Sequence, residues 1–206
     1  MSFAPKRNEL GVAAFTVSYI VVFTVWFLSI GNYEFIIYLI TMVALILLIG
    51  MSLRKAEYPT LMLWALSIWG LAHMAGGGLP VGEAVLYNLE LFPIIETERL
   101  FILKYDQLVH AYGFGITAWM LHHLLTRSFP PICGTVTALV YPALASMGLG
   151  AVNEMIEFSA VLAVPDTNVG GYVNTALDLC FNALGAVLAM VLIELRRKRK
   201  AVNDET

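Results

Sequence analysis

Long apolar segments, each about as long as a membrane-spanning helix or longer, recur along the whole chain. Polar positions divide them into six segments, at 11–30, 35–53, 60–79, 105–125, 132–163 and 174–195. A helix needs about 20 residues to cross the hydrocarbon core of a bilayer. The pattern therefore predicts an all-α, polytopic membrane helix bundle with six transmembrane helices. The fifth segment exceeds this length, so we expect it to tilt, to protrude or to break near residues 147–150.

Composition supports a membrane protein. The chain has 206 residues, of which 59% are hydrophobic and 13% charged, whereas a soluble domain is about 45–50% apolar and about 25% charged. No stretch is left for a separate soluble domain, so we expect one transmembrane domain over residues 1–206. Residues 1–10 and 196–206 are then cytoplasmic tails. Nothing in the sequence indicates binding to nucleic acid.

The distribution of Lys and Arg predicts the orientation of the helices. Cytoplasmic loops carry an excess of these residues. With six spans, one side of the membrane carries Lys6, Arg7, Arg54, Lys55, Arg127 and the basic run 196–200. The other side carries Glu34, Glu83, Glu90, Glu96, Glu98 and Asp166, with only Arg99 and Lys104 against them. Both termini are therefore predicted in the cytoplasm, the connector 80–104 is predicted outside, and the inner cell membrane is the expected location.

Several polar residues interrupt the apolar segments at one predicted depth, in the outer half of the membrane. They are His73, Tyr105, Asp106, His110, Asn153, Glu154, Glu157, Asp178 and Asn182. Polar side chains inside membrane helices are costly and usually mark a functional site. Any one of these residues also has a structural explanation, such as a helix cap at Asp106 or an ion pair between His110 and a glutamate. Taken together, they predict one site open to the outer side.

The spacing of these residues suggests a metal site. Asp106 and His110, and likewise Asp178 and Asn182, are four residues apart and share a helix face. Imidazole and carboxylate groups suit zinc, manganese or iron. We expect His73, Asp106, His110 and either Glu154 or Glu157 to be metal ligands.

The remaining polar residues receive supporting roles in this interpretation. The glutamate that is not a ligand would be the general base. Asp178 belongs with the catalytic groups or orients the ligands, and Asn182 orients them as well. Asn153 and Tyr105 are expected to help bind the cofactor.

Four ordered motifs resemble those of the YjdF-like inner-membrane family. They are His73-x-x-Gly76-Gly77, Tyr105-Asp106-x-x-x-His110-x-x-x-x-Gly115, Glu154-x-x-Glu157 and Asp178-x-x-x-Asn182-x-x-Gly185-Ala186. A weaker likeness exists to VanZ-like membrane proteins, which share an Asp-x-x-x-His and a late Asp-x-x-x-Asn-x-x-Gly. The resemblance to the YjdF-like family implies the fold and the positions of the site residues, but it implies no particular reaction. The second implies a role at the cell envelope.

Three functions are compatible with this pattern. The leading hypothesis is a membrane-embedded, metal-assisted hydrolase or transferase that acts on a lipid or lipid-linked substrate from the outer side. The second is an ion or small-solute binding or transport protein that uses the same residues. Transporters usually show inverted repeats and broken helices near the midplane, and this sequence shows no clear repeat. The third is a structural subunit with a buried polar network.

Overall fold

The computed structural model describes residues 6–97, 100–163 and 171–204. Glu98, Arg99 and Asp166, three of the charges used to predict the topology, lie outside the described residues. The described part contains six long α-helices: α1 (Arg7–Ile30), α2 (Tyr33–Ala56), α3 (Thr60–Gly78), α4 (Tyr105–Ser128), α5 (Val136–Ala163) and α6 (Tyr172–Asp204). Each predicted apolar segment coincides with one of them.

Local sequence explains where the first helices begin and end. Gly31 ends α1 with a left-handed backbone (φ 68°), which glycine adopts without steric cost. The Asn32 side chain then accepts a hydrogen bond from Phe35 N at 3.2 Å and caps the start of α2. Pro59 precedes α3, in keeping with the preference of proline for the first turn of a helix or just before it.

Helices α5 and α6 add detail to the sequence expectation, which left a tilted, protruding or broken fifth segment open. Helix α5 begins at Val136 and continues through residues 147–150 with Pro142 inside it, so it does not break there. A short 3-10 helix, Pro130–Ile132, precedes it. Helix α6 continues through the basic run to Asp204, so most of the predicted C-terminal tail is helical. Its 33 residues correspond to about 50 Å, more than the hydrocarbon core of about 30 Å.

Four of the described helical segments are long and apolar enough to cross a membrane: Arg7–Ile30, Tyr38–Ala56, Val136–Ala163 and Tyr172–Asp204. The protein is therefore a multi-pass membrane protein built from helices. Helices α3 and α4 are not among the four by this measure. Their polar residues, such as His73 in α3 and Asp106, Gln107 and His110 in α4, lower their apolar character. The six predicted spans thus remain a prediction for these two helices.

The connector between α3 and α4 contains strands that the sequence pattern did not predict. Strands β1 (Pro80–Val81) and β2 (Ala84–Val85) form one antiparallel pair. A 3-10 helix, Leu86–Asn88, leads to a second antiparallel pair of β3 (Glu90–Thr97) and β4 (Leu100–Lys104). This second pair is named the β3–β4 hairpin below.

The chain divides into two compact units. Unit one comprises residues 1–109 and 157–170, and unit two comprises residues 110–156 and 171–206. In unit one, α1 and α3 are joined by a hydrogen bond of 2.6 Å between the buried Thr16 and Ser67 hydroxyls. At the end of α3, Trp26 Nε1 donates to Gly78 O at 2.7 Å. The Phe35 ring lies directly against Gly77, where any Cβ atom would clash with it.

Unit two is held together by small residues that let helices approach closely. Ala118, Ala143, Ala186 and Met190 form its buried apolar cluster. Gly185 of α6 lies against the backbone of Ala111 in α4, and a Cβ on Gly115 would come 3.1 Å from Gly185 O. The fully buried Ser146 hydroxyl donates to Phe114 O at 2.7 Å and joins α5 to α4. Small residues at such positions are typical of helices that pack in lipid.

Candidate functional site: buried polar groups in each unit

His110 is the centre of a buried polar cluster in unit two. Its Nδ1 atom lies 2.9 Å from Asn182 Oδ1 and 3.8 Å from Glu154 Oε1. The three residues come from α4, α6 and α5 respectively, and all are buried. Three helices that lie far apart in sequence therefore direct polar groups to one point.

The contact with Asn182 determines which nitrogen of His110 carries a proton. An amide oxygen can only accept a hydrogen bond, so His110 Nδ1–H is the donor. In the neutral imidazole the proton on Nδ1 leaves a lone pair on Nε2. Histidine ligands in metal sites are commonly fixed in this way, with one ring nitrogen donating to a neighbour and the other binding the metal.

Asp178 adds a carboxylate to the same cluster. It lies one helical turn before Asn182 on α6 and is fully buried, as Asn182 is. Asn174, one turn earlier again, donates from Nδ2 to Asp178 Oδ2 at 2.6 Å. Ligand atoms of His110 lie within 4.8 Å of carboxylate oxygens of both Glu154 and Asp178. The His110 imidazole therefore has a carboxylate within 4.8 Å on α5 and another on α6.

Gly150 makes room for the Asn182 side chain. A Cβ atom built on Gly150 would come 2.6 Å from Asn182 Nδ2 and 3.0 Å from Asn182 Cγ. Among the residues that the structure describes, no hydrogen-bond acceptor faces Asn182 Nδ2, although the atom is buried. The amide is therefore positioned by His110 on one side and by the bare backbone of α5 on the other.

Two predicted members of the site extend along the same helices. Asp106 precedes His110 by one turn on α4, and Glu157 follows Glu154 by one turn on α5. Both carboxylates are buried. Both belong to unit one. Asn153, also predicted for the site, is half-buried on α5.

His73 lies in a second polar cluster, within unit one. Its ring stands edge-on to Tyr38 and Tyr87, with ring centroids 5.8 and 5.7 Å away. The Tyr87 hydroxyl makes a short hydrogen bond to His73 Nδ1 and also donates to His73 O at 3.1 Å. Tyr105 donates its hydroxyl to Ala72 O at 3.2 Å. His73 is thus enclosed by phenol groups.

The environment of Tyr87 favours its neutral phenol. Burial raises the pKa of the Tyr87 phenol well above its usual 10.0, and the charges of Asp106 and Glu157 raise it further. Both effects disfavour the ionised phenolate. Tyr87 therefore stays a neutral hydrogen-bond donor at any physiological pH.

Gln107 anchors the start of α4 to the connector. Its side chain is buried; Lys104 N donates to Gln107 Oε1 at 3.1 Å, and Gln107 Nε2 donates to Phe101 O at 3.3 Å. Tyr105 N also donates to Leu89 O at 2.9 Å. These bonds fix the base of the β3–β4 hairpin beside the residues that precede Asp106.

The sequence prediction placed the polar residues on helices, and the structure brings several of them together. His110, Glu154, Asp178 and Asn182 meet in unit two, while His73 and Tyr105 lie with Tyr87 in unit one. Tyr87 was missed, because a single tyrosine in a connector has no periodicity to reveal it. The available signal was Gly76, whose missing side chain lets the Tyr87 ring approach α3.

Comparison with known proteins identifies a family without a described activity. No curated protein matches this chain. No solved structure matches it either. A family model described as "Predicted membrane protein (DUF2238)" matches residues 12–199, which include every helix discussed above except the ends of α1 and α6. The chain therefore belongs to this DUF2238 family of membrane proteins.

Proposed function

We propose that this protein is a membrane-embedded enzyme that uses a divalent transition metal on a lipid or lipid-linked substrate of the cell envelope. It would act from the outer side of the inner membrane as a hydrolase or transferase. The observation that carries the proposal is the buried His110 ring, whose ligand atoms lie within 4.8 Å of a carboxylate oxygen of Glu154 and of one of Asp178. We further propose that the DUF2238 family includes the YjdF-like proteins, because the shared motifs all fall within residues 12–199.

The proposed ligands are His110 through Nε2, Glu154 and Asp178. A buried carboxylate is costly unless it is paired or binds a cation. Zinc, manganese and iron all accept imidazole and carboxylate ligands. A metal at this position would supply a water with a lowered pKa, the usual source of a nucleophile in metallohydrolases. Asn182 would hold His110 in the ligating tautomer.

The remaining predicted residues keep supporting roles in this proposal. Glu157, one turn after Glu154, is the proposed general base, and Asp106, one turn before His110, is a proposed further ligand. His73 remains a predicted ligand, because Tyr87 engages only its Nδ1 and leaves its Nε2 for a metal. Tyr105 and Asn153 remain predicted contributors to binding.

A lipid substrate is favoured by the surroundings of the site. The polar residues lie on helices of a multi-pass membrane protein whose surfaces are largely apolar, with exposed residues such as Leu144, Phe158 and Leu188. A substrate that reaches such residues must itself tolerate an apolar environment while presenting a polar group. Lipids and lipid-linked intermediates have both properties.

Metal analysis of the purified protein tests the proposal. The wild-type protein, purified in detergent without chelators, should carry zinc, manganese or iron in stoichiometric amounts. His110→Ala and Asp178→Asn should lose the metal and melt at a lower temperature, since a ligand that binds only the folded state stabilises it. His122→Ala, a substitution of the same type on the same helix, should retain the metal.

A second measurement separates an enzyme from an ion-binding protein. The lipids of cells that produce wild-type protein should differ from those of cells that produce Glu154→Gln in one class of envelope lipid. A bound metal with unchanged lipids would favour the alternative function of ion or solute binding. Wild-type protein without metal, whose melting temperature is unmoved by added zinc, manganese or iron, would rule out the metal site.

A further inference from the structure

The β3–β4 hairpin exposes an unusual amount of apolar surface. All eight residues of β3 are exposed, and Phe92 and Ile94 are 65% and 61% exposed. Leu91 and Ile95 are exposed as well. The pairing of β3 with β4 shifts register between Glu90 and Ile95, so the regular alternation of side chains is interrupted in this part of the strand. The strand therefore exposes a continuous run of apolar side chains from Leu91 to Ile95.

The position of the hairpin relative to α1 identifies what can cover this surface. Helix α1 is one of the candidate spans, and Trp26 lies in its last turns. The Trp26 indole donates to Gly78 O at the last residue of α3, so α3 ends level with the end of a membrane span. Tryptophan itself is enriched at the membrane–water boundary. The connector that begins at Pro80 consequently starts at that boundary.

The base of the hairpin is also fixed near the same level. Leu86 N donates to Leu79 O at 2.9 Å, and Tyr105 N donates to Leu89 O at 2.9 Å. Strand β4 has five residues, which span at most about 17 Å. The apolar strand β3 therefore stays within a short distance of the end of α3 and cannot reach far into water.

We propose that the β3–β4 hairpin lies in the headgroup and upper acyl region of the membrane leaflet at which α1 and α3 end, with Phe92 and Ile94 inserted among the lipids. The occupant of its apolar surface is thus a lipid surface. Glu83 and Glu90 are exposed beside it, and Glu96 lies on β3 itself. These carboxylates would be repelled by anionic headgroups, so the preferred surface is zwitterionic. This inference does not depend on the proposed metal or reaction.

Spin labels on the hairpin test the insertion directly. Both native cysteines are free and exposed, so Cys133→Ser and Cys180→Ser give a cysteine-free background. Phe92→Cys and Ile94→Cys are each labelled with a nitroxide in protein reconstituted into phosphatidylcholine vesicles. Collision rates with oxygen, which partitions into lipid, are compared with those of a water-soluble nickel chelate. Glu83→Cys and Val21→Cys provide an exposed connector site and an exposed site on α1.

The inserted hairpin should give an oxygen-to-nickel ratio at positions 92 and 94 several-fold higher than at position 83, approaching that at position 21. Adding phosphatidylglycerol, an anionic lipid, should lower the ratio at position 92. Equal ratios at positions 92, 94 and 83 would overturn the proposal. Strong spin–spin broadening between labels at position 92, lost on dilution with unlabelled protein, would overturn it in favour of pairing with a second copy of the chain.

Discussion

Among single residues, Asn182 has the clearest assigned role. Its amide oxygen accepts the proton of His110 Nδ1 at 2.9 Å, and both side chains are buried. Asn182→Ala would leave a buried donor on His110 without its acceptor. The cost of such a loss is about 1–3 kcal/mol. Denaturation in detergent should show a loss of stability in this range, while Cys180→Ala, at an exposed position on the same helix, should have little effect. Equal stability of the two variants would contradict this role.

Tyr87 should make the stability of the protein depend on alkaline pH. Because the folded protein raises the pKa of this phenol above 10.0, the unfolded chain ionises first as the pH rises. The stability that the neutral Tyr87 phenol gives to the folded protein is therefore fully present below pH 10 and is lost progressively above it. Tyr87→Phe removes the ionisable group, together with its bonds to His73.

The melting temperature of Tyr87→Phe, measured across this range, separates the two effects. The variant should be less stable than the wild type at neutral pH, and its melting temperature should fall less steeply above pH 10. Parallel curves for the two proteins would show that Tyr87 ionises equally in the folded and unfolded states.

Within helix α5, two glycines of similar sequence context should respond oppositely to the same substitution. A Cβ on Gly150 would come 2.6 Å from Asn182 Nδ2, whereas nothing lies within 4 Å of a Cβ on Gly148. Forcing extra atoms into a packed interior costs about 1–3 kcal/mol. In contrast, replacing an open helical glycine by alanine gains roughly 0.5–1 kcal/mol.

Thermal unfolding of Gly150→Ala and Gly148→Ala in the same detergent is a matched comparison. Gly150→Ala should melt below the wild type, and Gly148→Ala at or above it. If Gly150→Ala also displaces the Asn182 side chain, it should lower the amount of metal bound per protein. A stable Gly150→Ala protein would show that Asn182 can adopt another position at no cost.

The elements themselves were predictable to different degrees. The six helices follow from apolar segments bounded by Gly31, Pro59 and other residues that end or begin helices. These signals are local in the sequence. The strands between α3 and α4 were not predicted, because the apolar residues of β3 are consecutive around Pro93 and lack the alternation of a half-buried strand. The sequence left open whether the long fifth segment tilts, protrudes or breaks near residues 147–150, because a glycine that packs against a neighbour, as Gly150 does against Asn182, resembles one that breaks a helix.

Prediction of the site shows the same division between local and distant information. Helical spacing placed Asp178 with Asn182 and Asp106 with His110 on common faces, because these relations depend only on one helix. Helical spacing did not predict which residue of another helix each of them contacts. The contact of His110 with Asn182, rather than a simple pair with glutamate, required the small residues Gly150 and Gly185 to bring α4, α5 and α6 close together. The connector's Tyr87 depends on a turn geometry that no periodic pattern records.

For the whole molecule, the distribution of charge predicts the orientation in the membrane. Helices α1, α2, α4 and α6 each have Lys or Arg at the end predicted to be cytoplasmic, and the basic run of α6 is exposed. Lys and Arg near span ends set orientation because they resist transfer across the membrane. The prediction requires α3 and α4 to span although they are less apolar. If neither crossed the membrane, the four remaining spans would leave the C-terminus in the cytoplasm and would place the hairpin there as well.

Accessibility of single cysteines measures this orientation in intact cells. In the cysteine-free background, Glu83→Cys should react with a membrane-impermeant maleimide added to spheroplasts. Val202→Cys, exposed near the end of α6, should react only after the membrane is permeabilised. A C-terminal green fluorescent protein should fluoresce, and a C-terminal alkaline phosphatase, which needs the oxidising outer side, should be inactive. Labelling of position 202 in intact spheroplasts would refute the six-span topology and, with it, the common depth assigned to the polar residues.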